Sequence, residues 1–369
     1  MRRQLALAIA LLAASGLAGA AQSQGETSSW VGRGDGPAEP APKSQQKKTA
    51  PVKPGAVRII KTVPDNPAAM PAPVAPPSAS SHAKALPAGE DAAYEAFDQG
   101  KYLTALQLAV KAAERGDPQA HTLVGRIYAD GYGTARNTAL AAQWYARGAE
   151  LGDPEAMFAY GVLLANGLGV EKNRVGAAQM FEAAAARRHP LANYNLALLF
   201  LHGDGKPENP HRASLHMQFA AEAGVAAAQY DLATLYATGT GVDANAFEAA
   251  KWMGKAAAAG HAEAQVDYAV MLFQGHGVPP DQKRGAELFR AAADKGLAVA
   301  QNRLARCYAH GAGVEINAVE ASKWHLIAKA GGVADASLDK ILARLSKADR
   351  ALAQKAADDW RDRSQVGIE

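Results

Sequence analysis

An alanine recurs every 36 residues over more than half of the chain, and this period restricts the possible folds more than any other feature of the sequence. The alanines are Ala120, Ala156, Ala192, Ala228, Ala264, Ala300 and Ala336. Five residues after each of the first six lies a small residue, and three residues further lies a large one. Repetition of this length is typical of solenoids, in which each unit buries its apolar side against its neighbours. We count six units, the first starting at Ala120 and the sixth at Ala300.

Each unit begins with a predicted helix, helix A, because apolar residues lie at offsets 0, 4, 7 and 8 from the alanine. A Gly-x-Gly loop follows at Gly131 and Gly133, Gly167 and Gly169, Gly203 and Gly205, Gly239 and Gly241, Gly275 and Gly277, and Gly311 and Gly313. A phosphate-binding loop would follow a strand and occur once or twice, whereas these pairs follow a helix in every unit. We therefore interpret them as turn glycines that supply positive φ where helix A ends.

A second predicted helix, helix B, starts after a residue that can cap it. Offset 17 holds Asn137, Asn173, Asn209, Asn245, Asp281 and Asn317. Their side chains can accept hydrogen bonds from the first unpaired amides of a helix. Glu248 and Glu320 lie three residues after their caps and predict capping boxes in units four and six.

Helix B carries alanines and bulky residues such as Trp144 and Trp252 towards helix A, and a glycine follows it in most units. Arg188 replaces that glycine in unit two. The turn there must therefore differ or hold Arg188 in the strained left-handed conformation.

The ends of the repeat array depart from the pattern in the way expected of closing units. Residues 90–119 predict a shorter helical hairpin before the six units, which span 120–335. Residues 336–369 predict two final helices, the second starting at a cap on Ser346 and ending near Trp360. The predicted fold class is all-α, a solenoid of stacked helical hairpins.

The recurring alanine, small residue, large residue and Gly-x-Gly, often followed by valine as at Val170 and Val242, resemble the Sel-one-like repeat, a relative of the tetratricopeptide repeat. The resemblance implies a right-handed superhelix that serves as a platform for protein partners, often in regulation or assembly at the bacterial envelope. One branch of that family has a disulfide in every repeat, and penicillin binding or β-lactamase activity has been proposed for some members. This chain has one cysteine, so that branch is not carried over.

The N-terminus predicts export. Arg2 and Arg3 precede an apolar run and a small-residue triplet that ends at Ala20, which predicts a signal peptide of residues 1–20 cleaved after Ala20. An uncleaved membrane anchor is the alternative, but the apolar run is shorter than the roughly 20 residues that span a bilayer. Residues 21–89 are rich in proline, alanine, serine and lysine and predict a disordered tether. The expected location is the periplasm or the exterior.

No residue pattern predicts catalysis, a metal or a cofactor. Cys307 occupies an offset that is apolar in the other units, which favours a buried structural thiol. His202, His276 and His310 lie near loops of different units, without a metal-ligand spacing on one helix. No Ser-His-Asp set is recognisable. The net charge of +3 gives no reason to expect a nucleic acid partner.

In tetratricopeptide-like solenoids the outer side of helix A lines the concave face, which corresponds here to offsets 2, 6, 9 and 10. The candidate partner-binding residues are Phe158, Val162, Asn166, Tyr194, Leu201, His202, Val270 and Phe273, with Arg126 and Arg306 towards the two ends. An apolar groove flanked by arginines predicts a peptide or helix with acidic flanks as the ligand. Alternatively, Phe158 and Tyr194 pack against adjacent units.

These patterns together predict a non-enzymatic exported scaffold that binds an envelope or membrane protein. Two roles stay open: a regulator that docks on the outer domain of a membrane sensor, and an adaptor for cell-wall or polysaccharide assembly. A hydrolase acting on peptidoglycan or a β-lactam is a disfavoured third hypothesis.

Overall fold

The computed structural model describes residues 92–366 of the chain. These residues form sixteen α-helices and contain no strand. The predicted signal peptide, the predicted tether and the first two residues of the predicted N-terminal hairpin lie outside the described residues.

The six units contribute twelve of the helices, each of 13 residues. The A helices are α3 (Pro118–Asp130), α5 (Pro154–Asn166), α7 (Pro190–His202), α9 (Ala226–Thr238), α11 (Ala262–Gln274) and α13 (Ala298–His310). The B helices are α4 (Thr138–Glu150), α6 (Arg174–Ala186), α8 (Pro210–Glu222), α10 (Ala246–Ala258), α12 (Gln282–Asp294) and α14 (Ala318–Ala330). Two helices precede the units, α1 (Ala92–Asp98) and α2 (Tyr102–Glu114), and two follow them, α15 (Ala336–Arg344) and α16 (Lys347–Val366).

Between α1 and α15, each helix packs against the next helix in the chain. This arrangement confirms the predicted all-α solenoid of helical hairpins. In unit one the predicted core side of helix A is buried at Ala120, Val124, Ile127 and Tyr128. A solenoid core of this kind is shared between successive units, so each unit depends on its neighbours for stability.

The small residue at offset 5 is explained by the ring that helix B places against it. A Cβ atom built on Gly125 would lie 2.7 Å from the ring of Tyr145, and one on Gly161 would lie 2.7 Å from the ring of Phe181. Only a very small residue on helix A leaves room for these aromatic rings of helix B.

The loop glycines have the predicted conformation. The first glycine of each pair is the C-cap of an A helix in the left-handed region, with φ of 78° at Gly131. The cap at the start of helix B then closes the loop, because its own backbone N–H donates to the carbonyl at offset 8. In unit one Asn137 N donates to Tyr128 O at 2.8 Å, and the same bond recurs in all six units.

The predicted helix B caps are also confirmed, but the predicted capping boxes are wrong. The Asn245 side chain accepts from the amides of Phe247 and Glu248. However, the Asn245 N–H already donates to Tyr236 O at 2.8 Å, so it is not available to the Glu248 carboxylate. Glu248 pairs with Lys251 instead, at 3.0 Å.

The same bond pattern operates in unit six. The Asn317 N–H donates to Tyr308 O at 2.9 Å. Glu320 therefore pairs with Lys323, at 3.3 Å, rather than with its cap.

Three predictions at single positions are resolved in the described residues. Arg188 has φ of 61°, so of the two alternatives for this turn the strained left-handed conformation is the one adopted. It is the one non-glycine residue between 92 and 366 with positive φ. Ser346 caps α16 by accepting from Asp349 N at 3.1 Å, but the helix continues six residues past Trp360, to Val366. Cys307 is buried, and burial raises the pKa of its thiol to about 12.

Candidate functional site

We call the outward side of the A helices the A face, and define it by offsets 2, 3, 6, 9 and 10 of the six units. Offset 6 forms a row along this face in which every residue is half-buried. The row consists of Arg126, Val162, Leu198, Thr234, Val270 and Arg306.

Two of the three aromatic candidates lie inside the A face and not on its surface. Phe158 is 2% exposed, and its ring stacks on His189, the N-cap of the next A helix, at 4.8 Å. Tyr194 is 5% exposed, and its hydroxyl donates to Asp231 of the next unit at 3.0 Å. Of the two alternatives for these residues, packing against adjacent units describes both side chains. The side chains at offset 2 therefore join one A helix to the start or the side of the next A helix.

Three of the other candidates are half-buried aliphatic residues, and two are exposed polar residues. Val162, Leu201 and Val270 are half-buried, so part of each side chain is accessible. Asn166 and His202 are exposed at the last residues of α5 and α7. These five residues are accessible to a partner.

Phe273 is half-buried and belongs partly to the interior. Its ring stacks on Phe289 of α12 with the centroids 5.6 Å apart, and it packs against the C-terminal part of the core. Only the outer part of Phe273 contributes to the A face.

The two arginines expected to attract acidic flanks already contact carboxylates of this chain. Arg126 Nε lies 3.8 Å from Asp130, and its guanidinium lies over the Phe97 ring at 5.1 Å from the centroid. Arg306 Nε donates to Asp335 at 2.7 Å. Burial alone would raise the pKa of Asp335, but hydrogen bonds from Ser337, Arg306 and Asn302 outweigh it and hold that pKa well below its usual range.

Two carboxylates of the A face escaped the sequence analysis. Asp231 is 7% exposed and accepts from Tyr194, and burial raises its pKa to about 6 although this hydrogen bond opposes the shift. One unit further, Asp267 accepts from Tyr230 at 3.0 Å, and burial raises its pKa in the same direction. Both aspartates occupy offset 3, where unit one has leucine and unit two alanine. Offset 3 is polar in units three to six, and this change from the apolar residues of units one and two was the available signal.

Two A helices are capped by histidine. His189 Nδ1 accepts from Ala192 N at 3.1 Å while its Nε2 lies 3.0 Å from Glu155. His261 Nδ1 accepts from Ala264 N at 3.3 Å, and its ring stacks on Tyr230 at 4.8 Å. Accepting from an amide requires an unprotonated Nδ1, so these caps are formed by neutral imidazoles.

Between residues 92 and 366, no three His, Cys, Asp or Glu side chains are grouped as metal ligands would be. His202, His276 and His310 are all exposed and belong to three different units. Within that range, no helix is both long enough and apolar enough to cross a bilayer.

Comparison with known proteins assigns the repeats. The profile of the Sel1 repeat matches six consecutive segments, residues 118–153, 154–189, 190–225, 226–261, 262–297 and 298–333. The chain belongs to the Sel1 repeat family. This confirms the resemblance to the Sel-one-like repeat, and Sel1 repeats are scaffolds for protein–protein interaction.

Solved structures include similar Sel1 repeat proteins. A Sel1 repeat protein from Oxalobacter formigenes is 29% identical, with a TM-score of 0.57, over 64% of this chain and 94% of that one. A protective antigen of uropathogenic Escherichia coli with an SLR fold is 26% identical, with a TM-score of 0.48, over 71% of this chain and 64% of that one. No curated protein matches the chain.

Proposed function

We propose that this Sel1 repeat protein is an exported scaffold without enzymatic activity, and that it binds a protein of the bacterial envelope through its A face. The observation that carries the proposal is the set of half-buried aliphatic residues Val162, Leu198 and Val270 on the outer side of α5, α7 and α11, with the half-buried Thr234 at the same offset on α9. Partly exposed apolar residues in a row offer a partner more contact area than the same residues scattered singly.

Export is supported by the N-terminal sequence. Two arginines, a short apolar run and a small-residue triplet ending at Ala20 have the order of a signal peptide. Cell fractionation followed by N-terminal sequencing of the mature protein tests this part. We expect a periplasmic or secreted chain that begins at Ala21. Recovery of the unprocessed chain from the cytoplasm would overturn it.

Partner binding is tested by placing a charge on the A face. In Leu198→Asp, a carboxylate enters the centre of the aliphatic row. The matched control is Leu215→Asp, because Leu215 belongs to helix B of the same unit and is 56% exposed. We expect Leu198→Asp to reduce crosslinking of the protein to its partner in intact envelopes, and Leu215→Asp to leave it unchanged. Equal crosslinking by both variants, with equal melting temperatures, would contradict binding at the A face.

The same crosslinking experiment separates the proposed roles. Mass spectrometry of the crosslinked species identifies either a membrane sensor, as expected of a regulator, or a component of cell-wall or polysaccharide assembly, as expected of an adaptor. Nitrocefin turnover and muropeptide release by the pure protein test the non-enzymatic part of the proposal. We expect neither activity, and clear turnover would overturn that part.

A further inference from the structure

The centre of the A face carries two carboxylates whose hydrogen-bond donors are neutral. Asp231 and Asp267 accept hydrogen bonds from Tyr194 and Tyr230, each at 3.0 Å. A phenol is a neutral donor, so it stabilises the carboxylate without cancelling its charge. With a pKa of about 6, Asp231 is ionised at neutral pH.

A third carboxylate lies in the same region. Glu263 acts electrostatically on Tyr230 together with Asp267 and Asp231, and it also acts on Asp267 directly. His261 lies 3.5 Å from Glu263, but burial lowers the pKa of its imidazole. His261 is therefore neutral at pH 7 and does not offset these charges.

The cations of the A face lie towards its two ends. Arg126 is paired with Asp130 in unit one. In unit six, Arg303 interacts electrostatically with Asp335, and Arg306 donates a hydrogen bond to the same carboxylate. The charge pattern is the reverse of the expected one: Asp267 and Glu263 are the accessible carboxylates of α11, and Arg126 and Arg306 are already paired with acids.

The acidic residues border the aliphatic row. Asp267 lies three residues before Val270 on α11, and residues three apart lie on the same side of a helix. Glu263 lies four residues before Asp267, on the same side of α11. The row from Val162 to Val270 runs through four successive units, with Thr234 as its member in unit four.

We propose that the occupant of the A face is a basic amphipathic helix of the partner protein, with its apolar side on Val162, Leu198 and Val270 and with lysine or arginine against Asp267 and Glu263. This inference rests on the proposed function, since it gives the chemistry of the partner at the same surface. Amphipathic helices bind apolar grooves through residues spaced three and four apart, and opposite charges at the border fix their orientation. An acidic helix would be repelled by the same carboxylates.

A defined probe tests the charge preference. Fluorescence anisotropy measures binding of the full-length protein to a labelled 20-residue amphipathic peptide of leucine and lysine, and to its counterpart with glutamate in place of lysine. The test variant is Asp267→Asn with Glu263→Gln, in which the asparagine oxygen can still accept from Tyr230. The control is Asp243→Asn with Glu287→Gln, which removes two exposed carboxylates elsewhere.

We expect the lysine peptide to bind the parent protein more tightly than the glutamate peptide. The test variant should lose roughly tenfold in affinity for it and show a weaker salt dependence, while the control stays within about twofold of the parent. Equal binding of both peptides, or equal affinity of test and control variants, would overturn the inference.

Failure of the inference can be told apart from failure of the proposed function. If Leu198→Asp lowers crosslinking in envelopes while the Asp267→Asn, Glu263→Gln variant does not, the A face binds the partner but the basic chemistry is wrong. If neither variant changes crosslinking, the A face is not the binding surface and both proposals are overturned.

Discussion

Gly277, the second glycine of the loop in unit five, lies directly against the carbonyl oxygen of Ala246 in the preceding unit. A Cβ atom at Gly277 would overlap that oxygen, and φ at Gly277 is 70°. The corresponding glycines in units two to four and six also lie close against the first turn of the preceding helix B. The second glycine therefore sets the distance between units, whereas the first reverses the chain within a unit.

Gly277→Ala should therefore destabilise the protein by more than the strain of a left-handed alanine alone. A left-handed alanine costs about 1–2 kcal/mol, and the clash with backbone adds to it, so we expect a loss of about 3 kcal/mol or more. The measurement is thermal unfolding by circular dichroism. The control is Gly296→Ala, because Gly296 has φ of 90° but a Cβ atom there would meet no other atom within 4 Å. Equal losses in both variants would show that the close approach is unimportant.

Arg188 provides the opposite substitution. It holds φ of 61° where other units place glycine, and its guanidinium lies over the Phe219 ring at 5.3 Å from the centroid. Arg188→Gly relieves the left-handed strain, and Arg188→Ala keeps the strain, but both lose the contact with Phe219. We therefore expect the glycine variant to exceed the alanine variant in free energy of unfolding by about 1 kcal/mol. Chemical denaturation of the two variants measures this difference directly, and equal stability would argue against strain at this turn.

Much of the fold could be predicted because each unit repeats the same local signals. The alanine period, the capping asparagines and the left-handed glycines act within one unit, where spacing along the chain decides which atoms meet. The contacts that were missed join different helices or different units. The clash that excludes a side chain at Gly277 is with Ala246 of the preceding unit. The hydrogen bond that keeps Glu248 from its cap runs from Asn245 N–H to Tyr236, on helix A of the same unit.

The candidate site was less predictable for the same reason. Offset 2 was expected on the outer side of helix A, but Phe158 stacks on His189 at the start of the next A helix, and Tyr194 donates to Asp231 of the next unit. Arg126 could be paired with Asp130 from their spacing on α3, since residues four apart are neighbours on a helix. No spacing rule connects Tyr194 to Asp231, 37 residues away, without the geometry of the stack.

Asp231 should lower stability at neutral and alkaline pH. Its folded pKa of about 6 lies above the ordinary value of 3.8, so the folded state holds the proton more strongly. The contribution of this group to stability is therefore full below about pH 4 and is lost as the pH rises through 6. Asp231→Asn removes the charge and keeps an acceptor for Tyr194. We expect it to stabilise the protein by on the order of 1–3 kcal/mol at pH 8 and by little at pH 4.

Melting temperatures at pH 4 and pH 8 test the Asp231 prediction, with Asp243→Asn as the control because Asp243 is an exposed loop residue. A gain of the same size at both pH values would mean that ionisation of Asp231 is not its cause. A loss at pH 8 would mean that the Tyr194 hydrogen bond to the carboxylate outweighs the burial of its charge.

His261 should produce the opposite pH dependence. Its Nδ1 accepts from Ala264 N at the start of α11, and burial lowers the pKa of the imidazole below the ordinary 6.5. Below about pH 6.5 the unfolded chain binds the proton more strongly, so the stability that this cap provides is lost as the pH falls through the folded pKa. Protonation also places a positive charge at a helix N-terminus, where the helix dipole disfavours it.

His261→Asn supplies a cap that does not titrate but loses the stack on Tyr230. We therefore expect a lower melting temperature than the parent at pH 8 and a smaller decrease between pH 8 and pH 5. The control is His310→Asn, at an exposed position, which should show the same decrease in melting temperature as the parent. A decrease of that size in His261→Asn would show that this cap does not confer the acid sensitivity.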